Sequence, residues 1–210
     1  TAVIRCMTPE GDVKAFCTVK VSLQTVPAES AVSTLRQKIS GPASFKKTVN
    51  AKRFSLKAAA KGTLSYRSSN AKVASVNSSG MVTVKKVGKA AITITAGRTG
   101  RYRSASKKVT VTVIPKGTKI KTVKALKGKK KARVIWKRNR TVTGYQIQYS
   151  RYPSMKKAKR LTIRKNKTVK KTVARLKKGK RYYFRVRTYK KSGGTKYYSN
   201  WSGKKSVKVR

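Results

Sequence analysis

Histidine is absent from this chain, and aspartate and glutamate together number three. All three acids, Glu10, Asp12 and Glu29, fall within the first 30 residues. General acid–base chemistry near neutral pH needs His, a carboxylate or a tuned Lys, and metal sites need His, Cys, Asp or Glu. Past Glu29 only Lys and Tyr are left for proton transfer, and nothing marks one Lys among so many for Schiff-base chemistry. Glycine-rich phosphate loops are also missing. The expectation is a non-enzyme with no catalytic residue, no cofactor and no metal site. No apolar run reaches the roughly 18 residues that a membrane-spanning helix needs. No signal peptide or lipidation motif is visible, and a start at Thr1 rather than Met predicts a piece processed or excised from a longer polypeptide.

What is present is positive charge. Lys and Arg number 57, giving a formal net charge of +54 over 210 residues. Three of the cations, Arg5, Lys14 and Lys20, balance the three acids in the first 30 residues, so the other 54 face no side-chain carboxylate at all. They can meet only water, aromatic rings or a partner. Self-repulsion of that size opposes compaction, keeps the protein in solution and draws polyanions from a distance. A polyanion is therefore the default partner.

Residues 2–23 alternate as strand, turn, strand around Pro9-Glu10-Gly11-Asp12. Gly11-Asp12 as a two-residue loop sets Cys6 opposite Cys17. The pair is either a cross-strand disulfide, which points to an extracellular compartment, or two free thiols. A lone hairpin is marginal in water, so residues 1–25 read as the end of a preceding domain. Residues 26–37 read as a linker with a short helical turn in Ala28–Gln37. From Phe45 to Val113, short period-2 strands follow one another at intervals of about 8–12 residues, the pattern of a β-sandwich. Pro115-Lys116-Gly117 punctuates the chain, and a second train runs from Ile120 through Trp136, Tyr145, Ile147, Tyr182, Phe184 and Val186. The fold class is all-β: two tandem Ig-like sandwiches preceded by a hairpin remnant.

Tyr66-Arg67-Ser68-Ser69-Asn70, Val73-Ala74-Ser75-Val76, Ser79-Gly80-Met81-Val82 and Gly88-Lys89-Ala90-Ala91-Ile92-Thr93-Ile94 together resemble the bacterial Ig-like group 2 family. That resemblance covers residues 38–115, and it implies that the N-terminal hairpin is the tail of a preceding copy. Gly80 and Gly88 are expected at a tight hairpin and a bend. Trp136, Gly144-Tyr145-Gln146-Ile147-Gln148-Tyr149-Ser150, Leu176 to Tyr182 and Phe184-Arg185-Val186-Arg187 resemble a fibronectin type III domain over 116–210. The resemblance makes Trp136 a core residue and Tyr182 a tyrosine corner. The family's Arg-Gly-Asp loop is missing.

Tyr197-Tyr198-Ser199-Asn200-Trp201-Ser202 is similar to the Trp-Ser box of cytokine-receptor fibronectin domains, in which an aromatic ring stacks on arginines. Arg185 and Arg187 alternate outward beside it, so a cation–π ladder with Trp201 is expected, and carbohydrate stacking by Trp201 and Tyr198 is the alternative. Two basic runs are candidate polyanion sites: Lys127, Lys129, Lys130, Lys131 and Arg133, and Lys177, Lys178, Lys180 and Arg181. The resemblances imply a segment of a secreted or cell-surface protein of a Gram-positive bacterium, joined to other modules of the same polypeptide. The leading expectation is association with an anionic cell-wall polymer or acidic glycan. A structural stalk whose charge reflects an acidic or high-salt niche is the first alternative. A non-specific nucleic-acid binder is the second, since the chain should hold nucleic acid at low salt whatever its role.

Overall fold

The computed structural model describes residues 34–210 in full and residues 2–7 and 13–19 as backbone. It is all-β, with no helix among the described residues, and it divides into two compact units, Thr1–Leu35 and Arg36–Arg210. In the first unit β1 (Ala2–Met7) and β2 (Val13–Val19) pair antiparallel, as the alternation predicts. The register differs from the expected one. Cys6 faces Ala15 and Cys17 faces Ile4, with a shift between Cys6 and Met7, so the cysteines stand diagonally on the ladder instead of opposite each other. A two-residue loop at Gly11-Asp12 would not give that register, and residues 8–12 lie outside the described residues. The cysteine side chains themselves lie outside the described residues.

Short strand β3 (Leu35–Arg36) occupies part of the stretch where a helical turn is expected, and residues 28–33 of that turn lie outside the description. The first sandwich then sets two sheets face to face. One is built from β4 (Ser44–Thr48), β6 (Leu64–Ser68), β9 (Gly88–Ala96) and β11 (Ala105–Ile114), in the order β4-β11-β9-β6. The other is built from β5 (Phe54–Ser55), β7 (Ala74–Val76) and β8 (Met81–Val84), in the order β5-β8-β7. Strand β11 runs parallel to β4 and antiparallel to β9, while β10 (Tyr102–Arg103) lies in the connection between β9 and β11. Alternate residues of each strand point between the sheets, which is why Ile92, Ile94, Val109, Val111 and Val113 are all buried while Lys89 and Lys108 are not.

Gln37 is missed by hydrophobic parity yet anchors the first sandwich. Its Nε2 donates to the Gly97 and Arg103 carbonyls, both at 2.8 Å, and its Oε1 accepts from the Gly62 N–H at 3.0 Å. One amide thereby satisfies three backbone groups on separate segments, the arrangement that makes a buried polar side chain tolerable.

The second sandwich pairs β12 (Ile120–Leu126), β13 (Lys131–Trp136) and β16 (Lys170–Val173) in one sheet. The facing sheet holds β14 (Gly144–Ser150), β15 (Lys159–Ile163), β17 (Arg181–Ser192), β18 (Thr195–Tyr198) and β19 (Lys205–Lys208), with both β18 and β19 on β17. Trp136 sits at the centre, edge-on to Tyr145 with ring centroids 5.3 Å apart. The Tyr182 hydroxyl accepts a hydrogen bond from the Lys177 N–H at 3.1 Å, which is the tyrosine corner anticipated at that position. At the junction, the Lys116 carbonyl accepts from Thr188 Oγ1 at 2.7 Å and from Asn139 Nδ2 at 3.0 Å, tying the connecting segment to the second sandwich.

Gly80 closes the β7–β8 hairpin with φ +72°, and a Cβ there would stand 2.8 Å from the Tyr66 ring. Both the left-handed backbone and the ring oppose a side chain. Gly80→Ala should therefore lower the unfolding free energy by about 1–3 kcal/mol in urea titration, with an unchanged circular dichroism spectrum.

Candidate functional site

The outer face of β17 exposes every second residue, and parity sends Phe184 and Val186 to the core while Arg185 and Arg187 point away from it. Antiparallel pairing with β14 places Arg185 opposite Gln148 and Arg187 opposite Gln146. Arg185 Nε donates to Gln148 Oε1 at 2.8 Å. Arg187 Nε and one of its terminal nitrogens converge on Gln146 Oε1 at 3.0 and 2.7 Å. The aromatic part of the ladder is present as expected: the Trp201 ring centroid lies 4.8 Å from the Arg185 guanidinium carbon and 4.3 Å from that of Arg187, and Tyr198 lies 4.0 Å from Arg187.

The glutamines are the part that sequence reasoning misses, because without carboxylates it points only to aromatic faces as internal partners for these arginines. In a domain without carboxylates the amide oxygen takes the acceptor's place. The signal was there in Gln146 and Gln148, two residues apart on the strand that pairs with β17. Both glutamines are buried beneath the arginines. Burial pushes the pKa of both guanidiniums below the ordinary arginine value, with neighbouring Arg160 adding to the shift.

The serines of the same box replace a missing ladder. Between the ends of β18 and β19, the β17 N–H groups of Thr188 and Val186 donate to Ser199 Oγ and Ser202 Oγ, both at 3.0 Å. The Ser199 and Ser202 N–H groups donate back to the Thr188 and Val186 carbonyls at 3.0 and 2.8 Å. The box thus holds Trp201 over the arginines while satisfying the β17 edge.

The two basic runs, distant in sequence, are partly brought together. Lys127, Lys129 and Lys130 form the β12–β13 turn, and the Lys130 carbonyl accepts from the Leu176 N–H at 2.9 Å, next to Lys177 and Lys178. All of these lysines are exposed at one end of the second sandwich. Lys131 and Arg133 continue along the outward face of β13, with Arg133 between Lys124 and Thr172. Lys180 and Arg181 belong to the other sheet: the Lys180 carbonyl accepts from Val209, and Arg181 pairs with Lys208 and donates to Ser206 Oγ at 3.2 Å. Among the described residues no cluster of three or more metal-ligating side chains exists.

Residues 51–98 match the family model of the intimin immunoglobulin-like domain, and residues 115–203 match that of the fibronectin type III domain. An Ig-like module is followed by a fibronectin type III module. That order is the one the motifs suggest, although the first match is to the intimin domain and spans less than the 38–115 anticipated for a group 2 domain. No curated protein matches the chain. Among solved structures it is similar to the crystal structure of chicken CNTN1 FN1-FN3 domains, at 16% identity and a TM-score of 0.39. That alignment covers 71% of this chain and 56% of the other, so this chain spans little over half of its length. It is also similar to the solution structures of the fn3 domain of human contactin 1, at 18% identity and a TM-score of 0.35, over 45% of this chain and 79% of that one. Modules of both matched kinds are typically non-catalytic and usually occur in extracellular or surface proteins, which fits a modular binding or spacer role.

If the ladder is structural, its loss should register in stability. Arg187→Ala removes two aromatic contacts and strands the buried Gln146 oxygen, and should cost about 2–4 kcal/mol in chemical denaturation. Arg187→Lys should recover less than half of that loss, because an ammonium cannot direct two donors at Gln146 from one plane.

Proposed function

We propose that this segment is a non-catalytic extracellular module that associates through its cations with an anionic cell-wall polymer or acidic glycan. The observation that carries the reading is the run of 180 residues with 54 cations and no side-chain carboxylate. Solubility calls for a surplus of one sign; it does not call for the elimination of the other. A polymer with repeating negative charge gains from both features, since each cation adds a weak contact and no carboxylate repels it. The meeting of Lys127, Lys129, Lys130, Lys177 and Lys178 at one end supports a concentrated contact zone rather than a uniformly charged rod. Contacts of this kind are individually weak and screened by salt, so retention on a polymer depends on many acting together.

A spacer role is the second reading, and the hydrogen bonds that hold Lys116 to Thr188 and Asn139 favour it, because they restrain the junction between modules. The two are separable on purified Gram-positive cell walls, with and without teichoic acid, over a salt series and beside polylysine of matched charge. The binding module should stay on intact walls at physiological salt, outlast polylysine and be released when teichoic acid is stripped. Release together with polylysine would leave a charged spacer.

A further inference from the structure

We propose that a cleft at the end of the fibronectin type III module, between the β14–β15 and β16–β17 loops, binds an acidic sugar unit of a glycan. This inference rests on the polyanion reading above and gives it a site and a ligand class. The cleft has a volume of about 430 Å³, inside the range of roughly 300–1,000 Å³ typical of small-ligand sites. Arg151 and Lys157 line it from the first loop, Lys159 from the start of β15, and Arg175 and Lys177 from the second loop. None of these five side chains has a hydrogen-bond or ion-pair partner among the described residues, and only Arg151 has a ring contact, with Tyr152, so the cationic heads can meet an anion.

Two tyrosines set the ligand class. Tyr152 is 40% exposed, one of two large apolar side chains so exposed among the described residues. Its ring lies on the cleft wall, with the Arg151 guanidinium 6.0 Å from its centroid. Tyr149 stacks on Phe184 from below at 5.9 Å, and its hydroxyl has no partner among the described residues. Burial raises the Tyr149 pKa above the ordinary phenolic value, so the hydroxyl remains a donor through the physiological range. A ring face, a fixed hydroxyl donor and surrounding cations match a pyranose that carries a sulfate or carboxylate. A bare phosphate polymer would leave the ring unused. A single-stranded nucleic acid would need a groove that follows several nucleotides, which a cleft of this size lacks.

Lys157 and Arg175 hold left-handed backbone, with φ +47° and +58°, at positions where glycine would relieve the strain. Both line the cleft. Lys57 has the same property, φ +51°, in the Ig-like module and does not line the cleft, so it supplies a matched control.

The test is calorimetric titration of the full chain with a heparin tetrasaccharide at physiological salt, beside inorganic triphosphate and a thymidine tetranucleotide. Lys157→Gly, Arg175→Gly and Tyr152→Ala should each weaken tetrasaccharide binding by about fivefold or more, the loss expected for one charge-assisted or stacking contact. Lys57→Gly, which removes the same charge and the same strain, should change it by less than about twofold. Melting temperatures of the three glycine variants should be equal to or above that of the parent, which rules out unfolding as the cause. Equal losses in Lys157→Gly and Lys57→Gly, or tighter cleft-dependent binding of the tetranucleotide, would overturn the proposal. Cell-wall retention of the same variants separates this failure from that of the broader reading. A parent chain that outlasts polylysine while its cleft variants bind tetrasaccharide normally keeps the polymer reading and removes the cleft.

Discussion

A charge that cannot be neutralised from within shapes the contacts that the cations of the described modules make. Past Glu29 an ammonium or guanidinium group finds no side-chain carboxylate, and the acceptors it does find are neutral oxygens and ring faces. Lys107 Nζ reaches the Ile39 and Gly41 carbonyls, Lys204 Nζ the Pro153 carbonyl at 2.7 Å, and Lys205 Nζ the Lys121 carbonyl at 3.0 Å. Arg185 and Arg187 use glutamine amides, Trp201 and Tyr198. Each of these contacts fixes a side chain without cancelling its charge. The molecule can be well packed and still present nearly its whole formal charge to the outside, which an ion-paired surface of equal lysine content could not do.

The cores make that arrangement possible. The buried cluster of the second sandwich, from Ile120 and Val134 to Phe184 and Val209, is apolar or aromatic throughout, and its buried hydroxyls bond to backbone. The cluster of the first, from Ile39 to Val113, is aliphatic. Nothing inside either sandwich depends on an ionic pair, so the sign of the surface charge is decoupled from the packing that specifies the fold. The opposing term is self-repulsion, which at the ionic strength of most extracellular fluids reaches only about 8 Å. A β-sandwich is well suited to this because alternate residues point outward on every strand and lysines can be spread over two faces.

Much of this was legible in sequence wherever the deciding interaction is local. Period-2 alternation identified the inward residues of both sandwiches, and Leu176 with Tyr182 identified the corner. A residue's own type and its near neighbours determine those features. The unanticipated features are set by partners far along the chain. Gln37 earns no mention from hydrophobic pattern because its three partners lie at positions 62, 97 and 103. The Arg–Gln contacts depend on the register of β14 against β17, about 40 residues on. The diagonal placement of Cys6 and Cys17 depends on a register shift that a loop-length rule does not contain. The meeting of the two basic turns likewise follows from the pairing of β13 with β16.

The same distinction bears on where specificity in such a chain can reside. Overall charge brings any polyanion near and discriminates little among them, since the attraction depends on charge density and falls with salt for all alike. Discrimination needs groups whose positions are fixed before the ligand arrives, because ordering a long lysine on binding opposes the contact it makes. At the end of the fibronectin type III module this condition is met by Tyr149, held on Phe184, with Tyr152 beside it on the rim. The exposed lysines, at the cleft and in the β12–β13 turn alike, are solvated and adaptable. With the proposed cleft, diffuse charge would govern the rate and extent of capture, and the few pre-positioned groups would govern which polymer is kept.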